Sequence, residues 1–283
     1  MSEAGPRGDL EALAGLVADG GAVVLSGAGL STESGIPDYR GPSGSRRTTA
    51  PMRFQVFVGD PVARRRYWAR SHVGWPYFSS ARPNDGHRAV AELERAGLLR
   101  GIVTQNVDGL HQAAGARDVV DLHGRLDRVV CLRCGAHVSR EEVERRLTEA
   151  NPGFGARARV VNADGDAEID ETDLDGFHVV GCGVCGQGPL KPDVVYFGET
   201  VPRERVERSY ALVEGASCLL VLGSSLTVMS GYRFVLRAAD RGIPVAVVNQ
   251  GPTRGDAHAE VRLDAPLGRV LPALAARLVP ART

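Results

Sequence analysis

The sequence predicts an α/β fold with a doubly wound parallel sheet, because short apolar runs alternate with segments of helical spacing. The runs that have the composition of buried strands are residues 22–25, 98–103, 119–122, 217–222 and 243–248. Segments 9–19 and 86–97 place apolar side chains every three or four residues, as amphipathic helices do. Alternation of this kind gives a parallel sheet that is covered by helices on both faces.

Length and composition place the chain among globular proteins. It has 283 residues, enough for one large domain or for a large domain and a small one, and its 34 basic residues balance 34 acidic ones. A net charge of zero gives no electrostatic footprint for nucleic acid or for an anionic membrane. The arginine-rich aromatic stretch 61–78 is interpreted as a solvated helix face with its rings turned inward; a nucleic-acid patch is the alternative.

The N-terminal segment has no basic region ahead of an uninterrupted apolar core, so it does not resemble a signal peptide. No later run approaches the roughly 18 apolar residues of a membrane span. We therefore expect a soluble cytoplasmic protein.

A glycine turn follows the first predicted strand. Gly27 and Gly29 flank Ala28 at its end, where backbone N–H groups are able to approach a phosphate closely. The third glycine of the usual dinucleotide motif is replaced by Thr32. The turn predicts a phosphate site, with an ordinary strand-to-helix turn as the alternative.

Polar side chains follow the next strands. Gln105, Asn106 and Asp108 come after the second strand, and His123 comes after the third. Ligands of doubly wound sheets lie beyond the carboxyl ends of the strands, so these residues are expected beside the glycine turn. His111 and His123 both qualify as a general base with a pKa near 7, and the residues alone leave that choice open.

Two later strand ends carry small or amide residues of the kind that adenosine and ribose contacts require. They are Gly223, Ser224 and Ser225 after one strand and Asn249, Gln250 and Gly251 after the other.

Four of the five cysteines form two C-x-x-C pairs, Cys131 with Cys134 and Cys182 with Cys185. Because the cytosol is reducing, the pairs are interpreted as metal ligands rather than disulfides. Four thiolates suit tetrahedral structural zinc; buried free thiols are the alternative. Cys218 lies inside an apolar run and is expected to be a small buried hydrophobe.

These motifs together resemble the sirtuins, a family of NAD-dependent protein deacylases. The segments that carry the resemblance are GAGLSTESGIPDYR at 27–40, TQNVDGLH at 104–111, DLHG at 121–124, KPDVVYFGE at 191–199, GSSLTV at 223–228 and the two cysteine pairs. Residues 66–80 and 231–234 resemble the class II branch, which contains the human mitochondrial sirtuin four. Lys191 is the only lysine, a usage that indicates GC-rich bacterial coding.

The resemblance implies two domains. Residues 1–125 and 190–283 would form a Rossmann-like NAD-binding domain, in which 41–80 is a mobile cofactor loop and helical segment. Residues 126–189 would form a smaller inserted zinc-binding module. The 47 residues between Cys134 and Cys182 resemble the class II insertion.

The chemistry that the resemblance implies is NAD-dependent removal of acyl groups from protein lysine, which gives nicotinamide, O-acyl-ADP-ribose and free lysine. His123 would act as the base, with Asn106 and Asp108 at the nicotinamide pocket. The further NAD contacts would be Gly27, Ala28, Gly29, Ser31, Thr32, Asp38, Tyr39, Arg40, Gln105, Val107, Gly223, Ser224, Ser225, Asn249, Gln250, Gly251 and Leu267. A protein ADP-ribosyltransferase and an NAD- or ADP-ribose-sensing module without turnover are the alternatives.

The substrate side is expected to be a strand edge. Val195, Phe197 and Gly198 would present exposed main chain to which the acylated-lysine segment of a protein adds as a strand. Tyr67 and Arg70 have the Tyr-x-x-Arg spacing of sirtuins that prefer succinyl or malonyl lysine, since an arginine pairs well with an acyl carboxylate. The preferred acyl group is not determined by the sequence.

Overall fold

The computed structural model describes residues 9–39, 50–170, 174, 176–186 and 188–280. Arg40 and the first part of the expected mobile loop, 41–49, lie outside the described residues. In the described part of the chain, no helix is both long enough and apolar enough to cross a membrane.

The larger sheet has six parallel strands in the order β3-β2-β1-β9-β10-β11. Its strands are β1 (Ala22–Ser26), β2 (Leu99–Thr104), β3 (Val119–Asp121), β9 (Leu219–Leu222), β10 (Val245–Val248) and β11 (Val261–Leu263). The chain runs outward from β1 through β2 to β3, then resumes on the other side of β1 with β9. This order is that of a doubly wound nucleotide-binding sheet, and β1 and β9 flank its topological switch point.

Helices cover both faces of this sheet. The α-helices of the described residues are α1 (Leu10–Ala18), α2 (Phe54–Gly59), α3 (Pro61–Ser80), α4 (Asp85–Arg95), α5 (Leu110–Ala113), α6 (Arg140–Ala150), α7 (Arg203–Glu214), α8 (Met229–Asp240) and α9 (Leu267–Leu278), of which α2, α3 and α6 pack with the smaller sheet described below. On one face α1, α4 and α9 pack together, and on the other α7 packs against α8. Every residue of β1, β9 and β10 is buried, which explains why these strands are continuous apolar runs rather than alternating ones.

A second, antiparallel sheet carries the cysteine pairs. It has the order β5-β4-β8, formed by β4 (Gly124–Cys131), β5 (His137–Ser139) and β8 (Leu190–Val194). A hairpin of β6 (Val160–Val161) and β7 (Ala167–Glu168) lies nearby against α3. Because β8 pairs with β4 along its length, the chain rejoins the six-stranded sheet only at β9. The division into 1–125, 126–189 and 190–283 stays a prediction, and this pairing supports a later return.

Helix α3 contains the arginine-rich stretch. Trp68 and Tyr67 are almost fully buried, whereas Arg66 is exposed. Tyr67 and Trp68 therefore turn inward as expected, whereas Tyr77 is 47% exposed and Arg70 is partly buried, so the separation of rings and charges along α3 is incomplete.

Candidate active site

A cavity of about 1000 Å³ opens at the carboxyl ends of β1, β2 and β9. This is the position at which doubly wound sheets hold ligands, because the strand order reverses there and the loops diverge. Its volume lies at the upper end of the roughly 300–1,000 Å³ range of ligand pockets. The predicted residues that line it are Gly27, Ala28, Gly29, Thr32, Asp38, Tyr39, Tyr67, Gln105, Asn106, Val107, His123, Val195, Phe197, Gly198, Gly223, Ser224, Ser225, Asn249, Gln250, Gly251 and Leu267.

The glycine turn is required by the contact between two loops. A Cβ on Gly27 would lie 2.7 Å from the Cβ of Ser224, and one on Gly29 would lie 2.9 Å from the carbonyl oxygen of Gly223. The N–H of Gly29 donates to that same oxygen at 2.8 Å. The loops after β1 and β9 therefore touch main chain to main chain, so glycine would be needed here even without a phosphate.

Asn106 lies at the centre of a buried hydrogen-bond network. Its Nδ2 donates to the carbonyl of Gly27 and to Ser31 Oγ, both at 3.0 Å. Ser31 Oγ in turn donates to Asp108 Oδ2 at 2.6 Å, and Asp108 Oδ1 accepts from the N–H of Leu110. Burial raises the pKa of Asp108, and the hydrogen bonds from Ser31 and Leu110 oppose that effect. Ser31 and Asp108 thus fix the orientation of Asn106 from behind, and neither lines the cavity.

His123 is held in one tautomer. Its Nδ1 lies 2.9 Å from the carbonyl oxygen of Gln105, an acceptor only, so Nδ1 carries the proton. Nε2 is then an acceptor, and it takes a hydrogen bond from Ser230 Oγ at 2.8 Å. The pKa of His123 is lowered, first by burial and then by the charges of Arg205 and Arg233, while the Gln105 bond opposes the shift. The lowered pKa keeps the His123 ring neutral. The lone pair of Nε2 points toward Ser230, which also lines the cavity.

Ser230 is a site residue that the sequence did not indicate. It lies in the first turn of α8, 107 residues after His123, and only the tertiary structure brings the start of that helix to the loop after β3. A serine at a helix start is ordinarily read as a capping or solvated residue, so no pattern in the chain singles it out.

His111 takes a different position from His123. Its Nε2 lies 2.8 Å from Ser26 Oγ, and its ring packs 5.3 Å from that of His87, centroid to centroid. Burial lowers the pKa of His111 to about 4. His111 does not line the cavity, whereas His123 does. The geometry therefore favours His123 as the base.

Arg70 does not line the cavity either. Its guanidinium forms an ion pair with Asp166 at 2.8 Å and donates to the carbonyl of Ala167 at 2.9 Å. Tyr67 belongs to a buried ring cluster with Phe57 and Tyr196, and burial raises its pKa to about 12. Arg70 thus ties α3 to the β6–β7 hairpin, so the structure brings Tyr67 to the cavity but not Arg70.

The expected strand edge is partly occupied. The N–H of Val195 donates to the carbonyl of His123 at 2.8 Å, which leaves that group unavailable to a peptide. The carbonyl of Phe197 accepts from the N–H of Phe54 at 3.0 Å, and the Gly198 carbonyl accepts from Gln55 Nε2 at 2.9 Å. The Phe197 side chain is 44% exposed. The main chain ahead of α2 therefore covers part of the edge, and a peptide strand would have to displace it.

The four paired cysteines converge. Cys131 Sγ lies 3.7 Å from Cys185 Sγ, Cys134 Sγ lies 3.8 Å from Cys182 Sγ, and all four sulfur atoms lie within 4.8 Å of one another. A tetrahedron with Zn–S bonds of about 2.3 Å has S–S edges of about 3.8 Å. Both the donor set and its spacing therefore fit zinc in a closed structural site. Cys218 is fully buried in the large core, where burial raises its thiol pKa to about 12.

Comparison with known proteins shows which family the chain matches. The model of the Sir2 family matches residues 27–230. The NAD-dependent protein deacetylase 1 of Streptomyces coelicolor is 60% identical over 270 residues, which are 95% of this chain and 90% of that protein. The protein of the same name from Mycobacterium avium is 51% identical and covers 92% of each chain.

Solved structures of Sir2 proteins are similar to this chain in fold. A Sir2 protein with a peptide and NAD+ is 27% identical and has a TM-score of 0.77, with 95% of this chain and 98% of that one covered. A structure that describes the mechanism and regulation of Sir2 enzymes is 30% identical with a TM-score of 0.73, and 95% and 97% of the two chains are covered. The class II assignment stays a prediction. With this family match, the fold and the cysteine cluster in agreement, the chain belongs to the Sir2 family.

Proposed function

We propose that the protein is an NAD-dependent deacylase of protein lysine. The single observation that carries the proposal is His123: a neutral imidazole in one tautomer, on the wall of a cavity that also contains the glycine turn and Asn106. The relatives named above are NAD-dependent protein deacetylases, and they align with nearly the whole chain.

The residues present fit NAD. The cavity is large enough, and it lies at the switch point where Rossmann-like sheets hold dinucleotides. Both Nδ2 hydrogens of Asn106 are used within the protein, and no described residue donates to its Oδ1, so this oxygen is available to a carboxamide N–H. NAD, when bound, supplies a ribose carbon whose bond to nicotinamide breaks during the reaction. Asn106 would orient the nicotinamide amide, and Ser224 and Asn249 would hold the adenosine end.

His123 would accept a proton from a ribose hydroxyl at Nε2. Ser230 Oγ lies at hydrogen-bonding distance from this atom, so the hydroxyl would either replace it or donate through it. General base catalysis of this kind contributes roughly 10²–10⁴-fold to the rate. Because the pKa of His123 is lowered, the base stays neutral as the pH falls to its ordinary value of 6.5, and activity should fall only below that pH.

The acyl chain would enter the buried end of the cavity, where Leu126, Val194 and Tyr196 form the wall. Since Arg70 is paired with Asp166, no arginine among the described residues at this end is available to a terminal acyl carboxylate. We therefore assign uncharged acyl groups, acetyl first among them, as the substrates.

Zinc would bind Cys131, Cys134, Cys182 and Cys185 and hold the small sheet together, with no open position for catalysis. Thiols kept reduced for a metal are typical of the cytoplasm, which we assign as the compartment. The partners would be acylated proteins, and the neutral chain supports neither nucleic acid nor a membrane surface as a partner.

The test is mass spectrometry of the purified protein with NAD and peptides that carry acetyl, succinyl or long-chain acyl lysine. The proposal expects O-acyl-ADP-ribose and free lysine from the wild type, a loss of about 10²-fold or more in His123→Ala, and normal turnover in His137→Ala, a change at an exposed histidine. Bound but unconsumed NAD would indicate a sensor, and ADP-ribose attached to protein would indicate a transferase; either result overturns deacylation.

A further inference from the structure

Arg233 is an arginine on the wall of the substrate cavity. It lies on α8 one turn after Ser230, the residue that contacts His123. Its side chain is half-buried, and the hydrogen bond it makes within the described structure is a long one, 3.4 Å from Nε to the carbonyl of Met229 in its own helix. The guanidinium therefore lies close to the reacting centre, with most of its donors directed at nothing in the described part of the chain.

Neighbouring arginines differ in this respect. Arg237, one turn further along α8, pairs with Glu214 at 3.2 Å, and Arg205 pairs with Asp193 at 2.8 Å. No carboxylate of the described residues lies within ion-pairing distance of Arg233. Of the described residues that line the cavity, Arg233 is the one lysine or arginine. The positive charge of Arg233 is therefore available to a group that enters the cleft.

The surroundings of Arg233 indicate where that group lies. Val228 and Phe197, which also line the cavity, are 37% and 44% exposed, and Met229, the first residue of α8, is 47% exposed. Exposed apolar side chains therefore lie just after β8 and at the start of α8, where the cavity meets the surface. The acyl chain goes to the buried end of the cavity, so the part of the substrate that passes Arg233 is the peptide on either side of the modified lysine.

We propose that Arg233 forms an anion subsite that selects protein substrates with an aspartate or glutamate close to the acylated lysine. A guanidinium binds a carboxylate through two parallel hydrogen bonds, which gives geometric preference as well as charge attraction. This inference rests on the proposed deacylase function, because it assigns the chemistry of the segment that the cleft accepts.

The experiment compares acetyl-lysine peptides that differ by aspartate against asparagine at each of the three positions on either side of the lysine. For at least one position we expect kcat/KM to be about threefold to tenfold higher with aspartate at low salt, and the preference to shrink as salt is added. Arg233→Gln should remove the preference. Arg237→Gln, one turn away on the same helix, should keep it. Arg233→Glu should reverse it, so that lysine at that position is preferred over aspartate.

Three outcomes distinguish failure of the anion subsite from failure of the deacylase function. If the wild type turns over acetyl peptides without any charge preference, or if Arg233→Gln keeps the preference, the anion subsite is refuted and deacylation stands. If Arg233→Gln changes only the ratio of succinyl to acetyl turnover, the anion is on the acyl chain, and the subsite as proposed is refuted. If neither the acetyl peptides nor their long-chain acyl counterparts are turned over, the deacylase function fails, and fluorescence anisotropy with the same peptides still tests the charge preference in binding.

Discussion

Replacing Gly188 with alanine should destroy the zinc site although glycine is not a ligand. A Cβ at this position would lie 2.1 Å from Cys131 Sγ and 3.3 Å from Cys185 Sγ. The Cys131 sulfur would have to move by about 1.3 Å to reach the 3.4 Å at which ordinary contact begins. Zinc–ligand distances vary by only about 0.2 Å, so a shift of this size removes a ligand.

The energetic consequence follows from the position of the cluster. The cysteines join the ends of β4 and β8, and in the described residues the six-stranded sheet carries none of them. Structural zinc binds zinc-finger peptides with about 10–16 kcal/mol, which equals or exceeds the total stability of most domains. Loss of the metal should therefore unfold the small sheet and leave the large one folded.

The assay is zinc content by mass spectrometry after gel filtration, together with thermal unfolding. We expect one zinc per chain in the wild type and much less in Gly188→Ala, with a lower first melting transition. Gly183→Ala is the matched control, because its Cβ would meet nothing closer than 3.7 Å although it lies between two ligands. A Gly188→Ala protein that keeps one zinc and the wild-type melting profile would refute the tetrahedral site.

Two further predictions concern residues outside the cofactor contacts. Arg70→Ala should lower the free energy of unfolding by about 2–4 kcal/mol, because it removes the ion pair that Arg70 makes with the buried Asp166 carboxylate. Arg66→Ala, a change at an exposed residue of the same helix, should leave the free energy of unfolding unchanged. A changed ratio of succinyl to acetyl turnover in Arg70→Ala would contradict a structural role for Arg70. Burial lowers the pKa of His87 to about 3 and that of His111 to about 4, so below pH 6.5 the unfolded chain binds protons that the folded one refuses. These two histidines should together contribute about 2.7 kcal/mol per pH unit to the loss of stability near pH 5, measured by urea unfolding, and about half of that contribution should disappear from the slope in His87→Leu. An unchanged slope in that variant would refute burial of the pair as neutral imidazoles.

Local sequence patterns were sufficient to predict much of the fold. Continuous apolar strands such as 22–25 and 217–222 can only be buried on both faces, so a parallel sheet covered by helices follows from them. The C-x-x-C pairs were enough to predict a four-cysteine cluster, because each pair places two thiolates in one tight turn and four thiolates suit tetrahedral zinc. Spacing along the chain carried this information because the groups involved are close in sequence or repeat with a fixed period.

Only the tertiary structure decided what depends on contacts between distant segments. The sequence allowed Arg70 to face the acyl group, but Asp166, 96 residues later, takes its charge. The residues alone left His111 and His123 equivalent, and only the family resemblance favoured His123; in the structure the carbonyl of Gln105 and the hydroxyl of Ser230 select one tautomer of His123. The sequence did not distinguish Arg233 from Arg237. In the structure, Glu214 forms an ion pair with Arg237 and not with Arg233. Ion pairs and hydrogen bonds act over a few ångströms in space, and no periodicity in the chain encodes which side chains the fold brings that close.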